Sequence, residues 1–260
     1  MKQPIALIFA RGGSKRLLRK NVLPFCGKPL VEWSIIQACC SHSIGCENTY
    51  LSTDDDEIQE IGEKHKINII RRPDWPNPDE ISGAKVVIHA LREIQKTRDV
   101  DTYVGMMPTS PMRLPDDVDR GVARYMELSK KYLDCEEINW VVPQQEMYFF
   151  KFLDDERMIY WLFNKRGYFG FEGSVSHVYS IKDYINRYDG IPTDKGFDNS
   201  NDWMEPGKVG RVIYHIKGQW FQRFDIDNRD DFDLCEFLME KYILKGRGES
   251  VYTDYRDGGR

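Results

Sequence analysis

The chain has 260 residues, of which 41% are hydrophobic and 30% charged, with a formal net charge of −5. These values suit one large α/β domain with a sizeable core and exclude the broad basic face of a duplex-binding protein. The opening MKQPIALIFARGG holds an apolar run too short for a signal peptide, and no later segment approaches the ~20 apolar residues of a membrane span. A cytoplasmic protein with no membrane or nucleic-acid partner is therefore expected.

In chain order, residues 5–9 read as a buried strand, followed by a Gly- and Lys/Arg-rich loop over 10–21. Residues 30–40 have helical periodicity. A strand at 49–52, a helix at 54–65 and a strand at 67–70 follow, then a long helix over 82–96, a strand at 103–107 and a helix at 115–128. Strands separated by helices imply a parallel sheet covered on both faces, with the ligand beyond the carboxyl ends of the strands. From 140 to 181 the pattern turns β-rich and aromatic, which reads as an inserted hairpin lobe suited to a subunit interface. Residues 189–207 read as a long loop and 209–216 as a last strand. The stretch 224–227 reads as strand-like, 230–244 as a closing helix, and 246–260 as a frayed tail. This amounts to one domain over 1–245 with the lobe at 140–181.

Cys26, Cys39, Cys40, Cys46, Cys135 and Cys235 form no CxxC pair, and the five histidines show no HxxxH or HxH spacing. Reduced, mostly buried thiols and no zinc site are expected.

The chemistry concentrates in three places. The loop after the first strand, from Ala10 through Asn21, carries Gly12 and Gly13 with Arg11, Ser14, Lys15, Arg16, Arg19 and Lys20. Glycines let backbone N–H groups approach an anion, and five cations can neutralise a triphosphate. The loop matches neither GxxxxGK[ST] nor GxGxxG, so taken alone it favours a solvated basic turn, and its position directly after the first strand raises the phosphate reading above that. Second, Asp225 and Asp227 stand two apart in FDID, on one face of an extended segment, where Mg²⁺ bridges such oxygens; capping of the next helix by Asp227 and Asn228 is the competing reading. Asp54, Asp55 and Asp56 either face a nucleotide or cap a helix and complement its dipole, and capping is the favoured reading. Third, Thr109 and Ser110 lie in a Pro-framed turn with Met107 before it and Arg113 after it. They either orient an acidic acceptor or serve the fold.

The run RGGSKRLLRKN followed by LPFCGKPL resembles the signature of the cytidylyltransferases that activate acylneuraminate and related sugar acids, the CMP-sialic acid synthetase-like family. LSTDDDEI, RRP, PTSPMR and DIDNRDDF follow in the same order. The resemblance covers about 5–128 and 209–244. It implies a three-layer α/β/α, Rossmann-like nucleotidyltransferase fold of GT-A-like type, with a mostly parallel sheet and a hairpin lobe that joins two chains in a homodimer. It implies that Arg11 and Lys20 hold CTP phosphates with help from Lys15, that Asn21 contacts the ribose, that Arg72 and Ser82 read the cytosine, and that Asp225 and Asp227 bind Mg²⁺. The implied activity is transfer of CMP from CTP to a 2-keto-3-deoxy sugar acid with release of pyrophosphate. The acceptor end departs from the family: Met107 stands where Gln is usual, and 171–176, FEGSVS, replaces RPNGAIY. An acceptor other than standard N-acetylneuraminate is expected, a 3-deoxy-octulosonate-type sugar or a phosphonate among them. A non-catalytic nucleotide-binding homologue is the reading from another class.

Overall fold

The structure is a computed structural model that describes residues 2–76, 81–132, 135, 137–144, 148–152, 158–162, 169–189, 214–252 and 255. The first half alternates strand and helix as expected. β1 (Ile5–Ala10) leads through the short pair β2 (Pro24–Phe25) and β3 (Lys28–Pro29) into α1 (Leu30–Cys39). There follow β4 (Thr49–Thr53), α2 (Asp56–Lys64), β5 (Asn68–Arg71), α3 (Gly83–Gln95), β6 (Thr102–Met106) and α4 (Asp117–Lys131). The second half holds β7 (Glu137–Gln144), β8 (Tyr148–Phe152), β9 (Met158–Leu162), β10 (Phe169–Ser180) and α5 (Ile181–Tyr188). β11 (Tyr214–Lys217), α6 (Arg229–Leu238) and α7 (Glu249–Tyr252) complete it. Wider π-helical turns over Met239–Arg247 extend α6, with non-helical backbone at Gly246.

One seven-stranded sheet has the order β11-β7-β10-β6-β1-β4-β5. β1 pairs in parallel with β4 and β6, and β4 with β5. Only β10 runs against its neighbours β6 and β7, and β11 again lies parallel to β7. β1 shows why two helix layers are needed. Its side chains alternate in direction, so Ala6, Ile8 and Ala10 join Val31 and Ile35 of α1 and Val118 and Val122 of α4. Ile5 and Leu7 point the other way, into Val87, Leu91 and Ile94 of α3 and Ile181 of α5. Each such fully buried Leu or Ile contributes about 1.5–3 kcal/mol. A third cluster closes one end of the molecule, where Phe25 meets Phe232 of α6 edge-on, with ring centroids 5.2 Å apart.

The 140–181 stretch is not one lobe. β7 and β10 are strands of the central sheet, where Val178 lies beside β6 and Ile138 beside Val178, both fully buried. Only β8 and β9 form a separate two-stranded unit. The strand expected over 209–216 is seen as β11, and residues 209–213 and 190–207 lie outside the described residues. Part of the expected frayed tail is helix. Tyr252 of α7 is 2% exposed and its hydroxyl donates to the Arg113 carbonyl oxygen at 3.1 Å. Tyr255 stacks on His65 with its hydroxyl 3.1 Å from Nδ1.

The cysteine expectation is also corrected, because Cys39 and Cys46 are disulfide-bonded. Cys39 ends α1, and Gly45, at φ 76°, turns the chain back so that the two Cα atoms lie 4.3 Å apart. A Cβ there would require a conformation that L-residues rarely adopt. Cys26 and Cys235 are free thiols, and burial pushes Cys235 up to about 12.

His177 lies on β10 opposite Gly105, stacked on Tyr179 with ring centroids 5.8 Å apart. Burial pushes its imidazole down to about 4; Arg113 adds to the drop and Glu137 opposes it. An unfolded histidine protonates near 6.5. The neutral ring therefore stabilises the fold above pH ~6.5, and that stability is lost as pH falls toward about 4. Urea midpoints measured from pH 7 to 5 should fall more steeply for the native chain than for His177→Gln. Equal slopes would show that another group governs acid sensitivity.

Candidate active site

The carboxyl ends of β1, β4 and β6 open on one cavity of about 560 Å³, the position at which a parallel sheet holds its ligand. The loop after β1 gives it Arg11, Ser14, Lys15, Arg16, Lys20 and Asn21. Asp54 enters from the end of β4, Arg72 and Trp75 from beyond β5, and Met107 and Thr109 from the turn after β6. Asp227 reaches the same cavity from far along the chain.

The cationic loop is pinned from behind. Arg19, at φ 54°, forms ion pairs with Asp55 and Glu57 at the start of α2, so this cation faces the helix rather than the cavity. Asp55 also caps α2 by accepting from the Ile58 N–H at 3.1 Å. The Gly12 N–H donates to Asp54 Oδ1 at 3.0 Å, and a Cβ on Gly12 would collide with the Asp55 carboxylate. Gly13 stands in open space, and Ala10 is the buried end of β1 beneath the loop. Asn21 is 6% exposed. Its Nδ2 donates to the Arg11 carbonyl oxygen at 2.9 Å, while its buried Oδ1 has no hydrogen-bond partner among the described residues. An acceptor so placed on a cavity wall suits a ligand hydroxyl.

The acidic segment faces this loop. Residues 224–227 are extended without joining a described strand, and Ile226 is fully buried between the two carboxylates. The Ile226 N–H donates to the Thr109 carbonyl oxygen at 2.9 Å, and Ser110 Oγ donates to Asp225 Oδ1 at 2.9 Å. Lys20 Nζ donates to the Ile226 carbonyl oxygen, and Arg16 meets Asp227 Oδ2 at 2.7 Å. Burial is the largest influence on Lys20 and lowers its pKa; Asp225 and Asp227 oppose the drop, and Arg16 and Arg11 add to it. Asn228, not Asp227, caps α6 by accepting from the Asp231 N–H at 3.1 Å, and Asp231 in turn accepts from the N–H of Asn228. The Asp227 carboxylate is thus left to the cavity.

Arg72 is held rigidly. Its Nε donates to Ser52 Oγ at 3.2 Å and its Nη2 to the Ser52 carbonyl oxygen at 3.0 Å, with Asp54 3.8 Å away. Burial lowers its pKa, against the pull of Asp54. Ser82 caps α3 by accepting from the Lys85 N–H at 3.3 Å, and the cavity is lined by its neighbours Ile81 and Gly83.

The acceptor-side expectations divide. Met107 is 40% exposed on the cavity wall, and Thr109 Oγ1 is buried there without a partner among the described residues. Ser110 is 3% exposed and spends its hydroxyl on Asp225. Arg113 is fully buried beneath the turn and does not line the cavity, which corrects its expected contact with the acceptor. It donates to Ser34 Oγ at 3.2 Å, Gln37 Oε1 at 2.9 Å and the Met107 carbonyl oxygen at 2.9 Å. Burial lowers its pKa to about 10. Asp54, expected as part of a helix cap, and Trp75, which carried no expectation, both line the cavity. The signal for Asp54 was that three acidic residues follow one strand and only one of them can cap.

Among the described residues no group of three His, Cys, Asp or Glu gathers as a metal site, and no helix is long and apolar enough to cross a membrane. The donor set at the acidic segment is Asp225 and Asp227, two carboxylates close enough to Lys20 to act on its charge. That set fits Mg²⁺, which takes one or two protein carboxylates and fills its remaining positions with phosphate oxygens and water.

Comparison with known proteins bears on the same residues. The chain is 32% identical over 132 residues to the pseudaminic acid cytidylyltransferase of Campylobacter jejuni, an alignment covering 50% of this chain and 56% of that protein. It is 29% identical over 140 residues to the CMP-N,N'-diacetyllegionaminic acid synthase of Legionella pneumophila, covering 52% and 58%. The chain thus spans little more than half the length of these relatives. Among solved structures, a CMP:2-keto-3-deoxy-manno-octonic acid synthetase complexed with CTP superposes with a TM-score of 0.62 at 16% identity, covering 92% of this chain and 99% of that one. A cytidylyltransferase from Leptospira borgpetersenii gives 0.61 at 14%, covering 98% and 99%. At such identities these two structures bear on the fold alone, and they share it. A cytidylyltransferase family model matches residues 5–149, more than half of the chain and most of the walls of the cavity, and on that match the chain belongs to the cytidylyltransferase family.

Proposed function

We propose that this chain transfers CMP from CTP to a 2-keto-3-deoxy sugar acid of the nonulosonic type and releases pyrophosphate. The observation that carries the reading is the meeting of the cationic loop after β1 with Asp227 in one cavity, while Asp225, which does not line it, accepts from Ser110. The relatives named for pseudaminic acid and for diacetyllegionaminic acid agree with it.

In this reading Arg11, Lys15, Arg16 and Lys20 bind the triphosphate, Asn21 Oδ1 accepts from a ribose hydroxyl, and Arg72 meets the cytosine edge. Phosphoryl and nucleotidyl transfers are accelerated by positioning and charge neutralisation more than by covalent chemistry. Lys20 is well placed for that task. It is half-buried, so its charge is weakly screened, and its Nζ is oriented by the Ile226 carbonyl oxygen. Asp225 and Asp227 would hold Mg²⁺, which when bound supplies further neutralisation of phosphate charge. The acceptor hydroxyl approaches the α-phosphorus from the Met107–Thr109 turn, with Thr109 Oγ1 available to orient it. Met107 offers no donor to a sugar hydroxyl, which favours an acceptor read differently from N-acetylneuraminate. A homodimer, using the β8–β9 unit that lies outside the central sheet, completes the proposal.

The test is pyrophosphate release with CTP, Mg²⁺ and a panel of acceptors: pseudaminate, legionaminate, N-acetylneuraminate, 3-deoxy-octulosonate and phosphonates. Release should require CTP and one keto-sugar acid. Preference for N-acetylneuraminate would refute the altered acceptor end. Calorimetric CTP binding with no release from any acceptor would replace the enzyme with a nucleotide-binding homologue.

A further inference from the structure

Trp75 has no place in the scheme above, yet it forms part of the cavity wall. It lies three residues beyond Arg72, which also lines the cavity. Phe9, Ile81 and Val86 line the cavity as well, an apolar set that cannot serve a phosphate. The indole is braced from outside the lining. His89 of α3 meets it edge-to-face with ring centroids 5.7 Å apart, and the ammonium of Lys85 lies over the ring 5.9 Å from its centroid. Neither His89 nor Lys85 lines the cavity, so the ring is held from behind and offers its remaining surface to the ligand. A flat π-surface beside a buried, rigid guanidinium matches what a nucleobase requires: a face to stack on and a donor for its polar edge.

We infer that Trp75 is the stacking wall of the base subsite, and that it works with Arg72 to hold the pyrimidine of the nucleotide. The inference rests on the nucleotide reading of the cavity but is separable from it, because a stacking wall acts on the base and not on the phosphates. Trp75 is a binding residue in this account. Its contribution is to affinity for the nucleoside triphosphate, and it touches no reacting atom.

The experiment is calorimetric titration of the full chain with CTP and, separately, with inorganic tripolyphosphate, which has the charge but no base. Trp75→Ala and Trp75→Leu should each weaken CTP binding about tenfold, toward the low end for loss of one base–aromatic stack, and leave tripolyphosphate binding within about twofold. Trp75→Phe keeps a π-face and should retain most of the CTP affinity. Equal losses for the two ligands, or no loss of CTP affinity in any variant, would overturn the inference while leaving the nucleotide reading intact. Failure of the native chain to bind CTP would end both. Because Trp75 is partly exposed at a loop, the variants are expected to stay folded, and Trp75→Phe against Trp75→Leu decides the question even if Trp75→Ala does not fold.

Discussion

Asp227→Ala should reduce pyrophosphate release from CTP by about 10²–10³-fold, the scale of losing one charged group aimed at the reacting centre, and should leave the melting temperature almost unchanged. The two halves of that expectation have separate causes. The Asp227 side chain is 46% exposed and its pair with Arg16 lies at the surface, where such pairs contribute about 0–1 kcal/mol. The cap of α6 belongs to Asn228 and Asp231 and survives the substitution, as does the Asp227 backbone donation to Asp231. What is lost is a carboxylate facing Lys20 and, in the proposed reaction, one of two oxygen ligands for Mg²⁺. Steady-state rates against Mg²⁺ concentration, alongside circular-dichroism melts, measure both. A rate within tenfold of the native chain at saturating Mg²⁺ would remove Asp227 from the proposed machinery. A large fall in melting temperature would show that its carboxylate serves the fold.

Arg113→Ala should act in the opposite way, by unfolding. Its guanidinium is fully buried and supplies donors to Ser34, Gln37 and the Met107 carbonyl oxygen. Removing it leaves those acceptors without their donor and opens a void, a combination that costs about 3–5 kcal/mol. For a chain of this size that is a fall of about 10 °C in melting temperature. Arg113→Lys should recover only part of it, since an ammonium cannot reproduce three divergent hydrogen bonds from a planar fork. Thermal melts of both variants check this. An unchanged melt with a raised acceptor KM would instead restore Arg113 to the acceptor site.

The first half of the fold was legible because its signals are local. A buried strand, a glycine turn and an amphipathic helix each occupy one short window, and the order of those windows fixes a parallel sheet. The phosphate loop was legible for the same reason. Arg19 was counted with its four neighbouring cations, and only the position of α2 turns it onto Asp55 and Glu57. The role of Arg113 depends on α1 and on Tyr252, 139 residues away, neither of which leaves a trace beside PTSPMR. The Cys39–Cys46 bond depends on a left-handed Gly45 that periodicity cannot report. β7 and β10 were read as a lobe because aromatic density looks alike in an interface strand and a sheet strand. Their places in the central sheet, β10 beside β6 and β7 beside β10, are long-range facts. Among the three aspartates after β4, turn geometry alone separates Asp55, which caps, from Asp54, which holds the Gly12 N–H.

Arg16 and Asp227 meet across a sequence separation of 211 residues. Neither end of the polypeptide makes an anion pocket by itself: the early turn lacks its counter-charge, and the late acidic segment lacks its cations. The pocket therefore comes into being only when distant parts of the polymer have closed on each other, among the slowest contacts for a chain to form. A nucleotide bridging that clasp would hold both segments at once, and its binding would stabilise the closed chain by mass action.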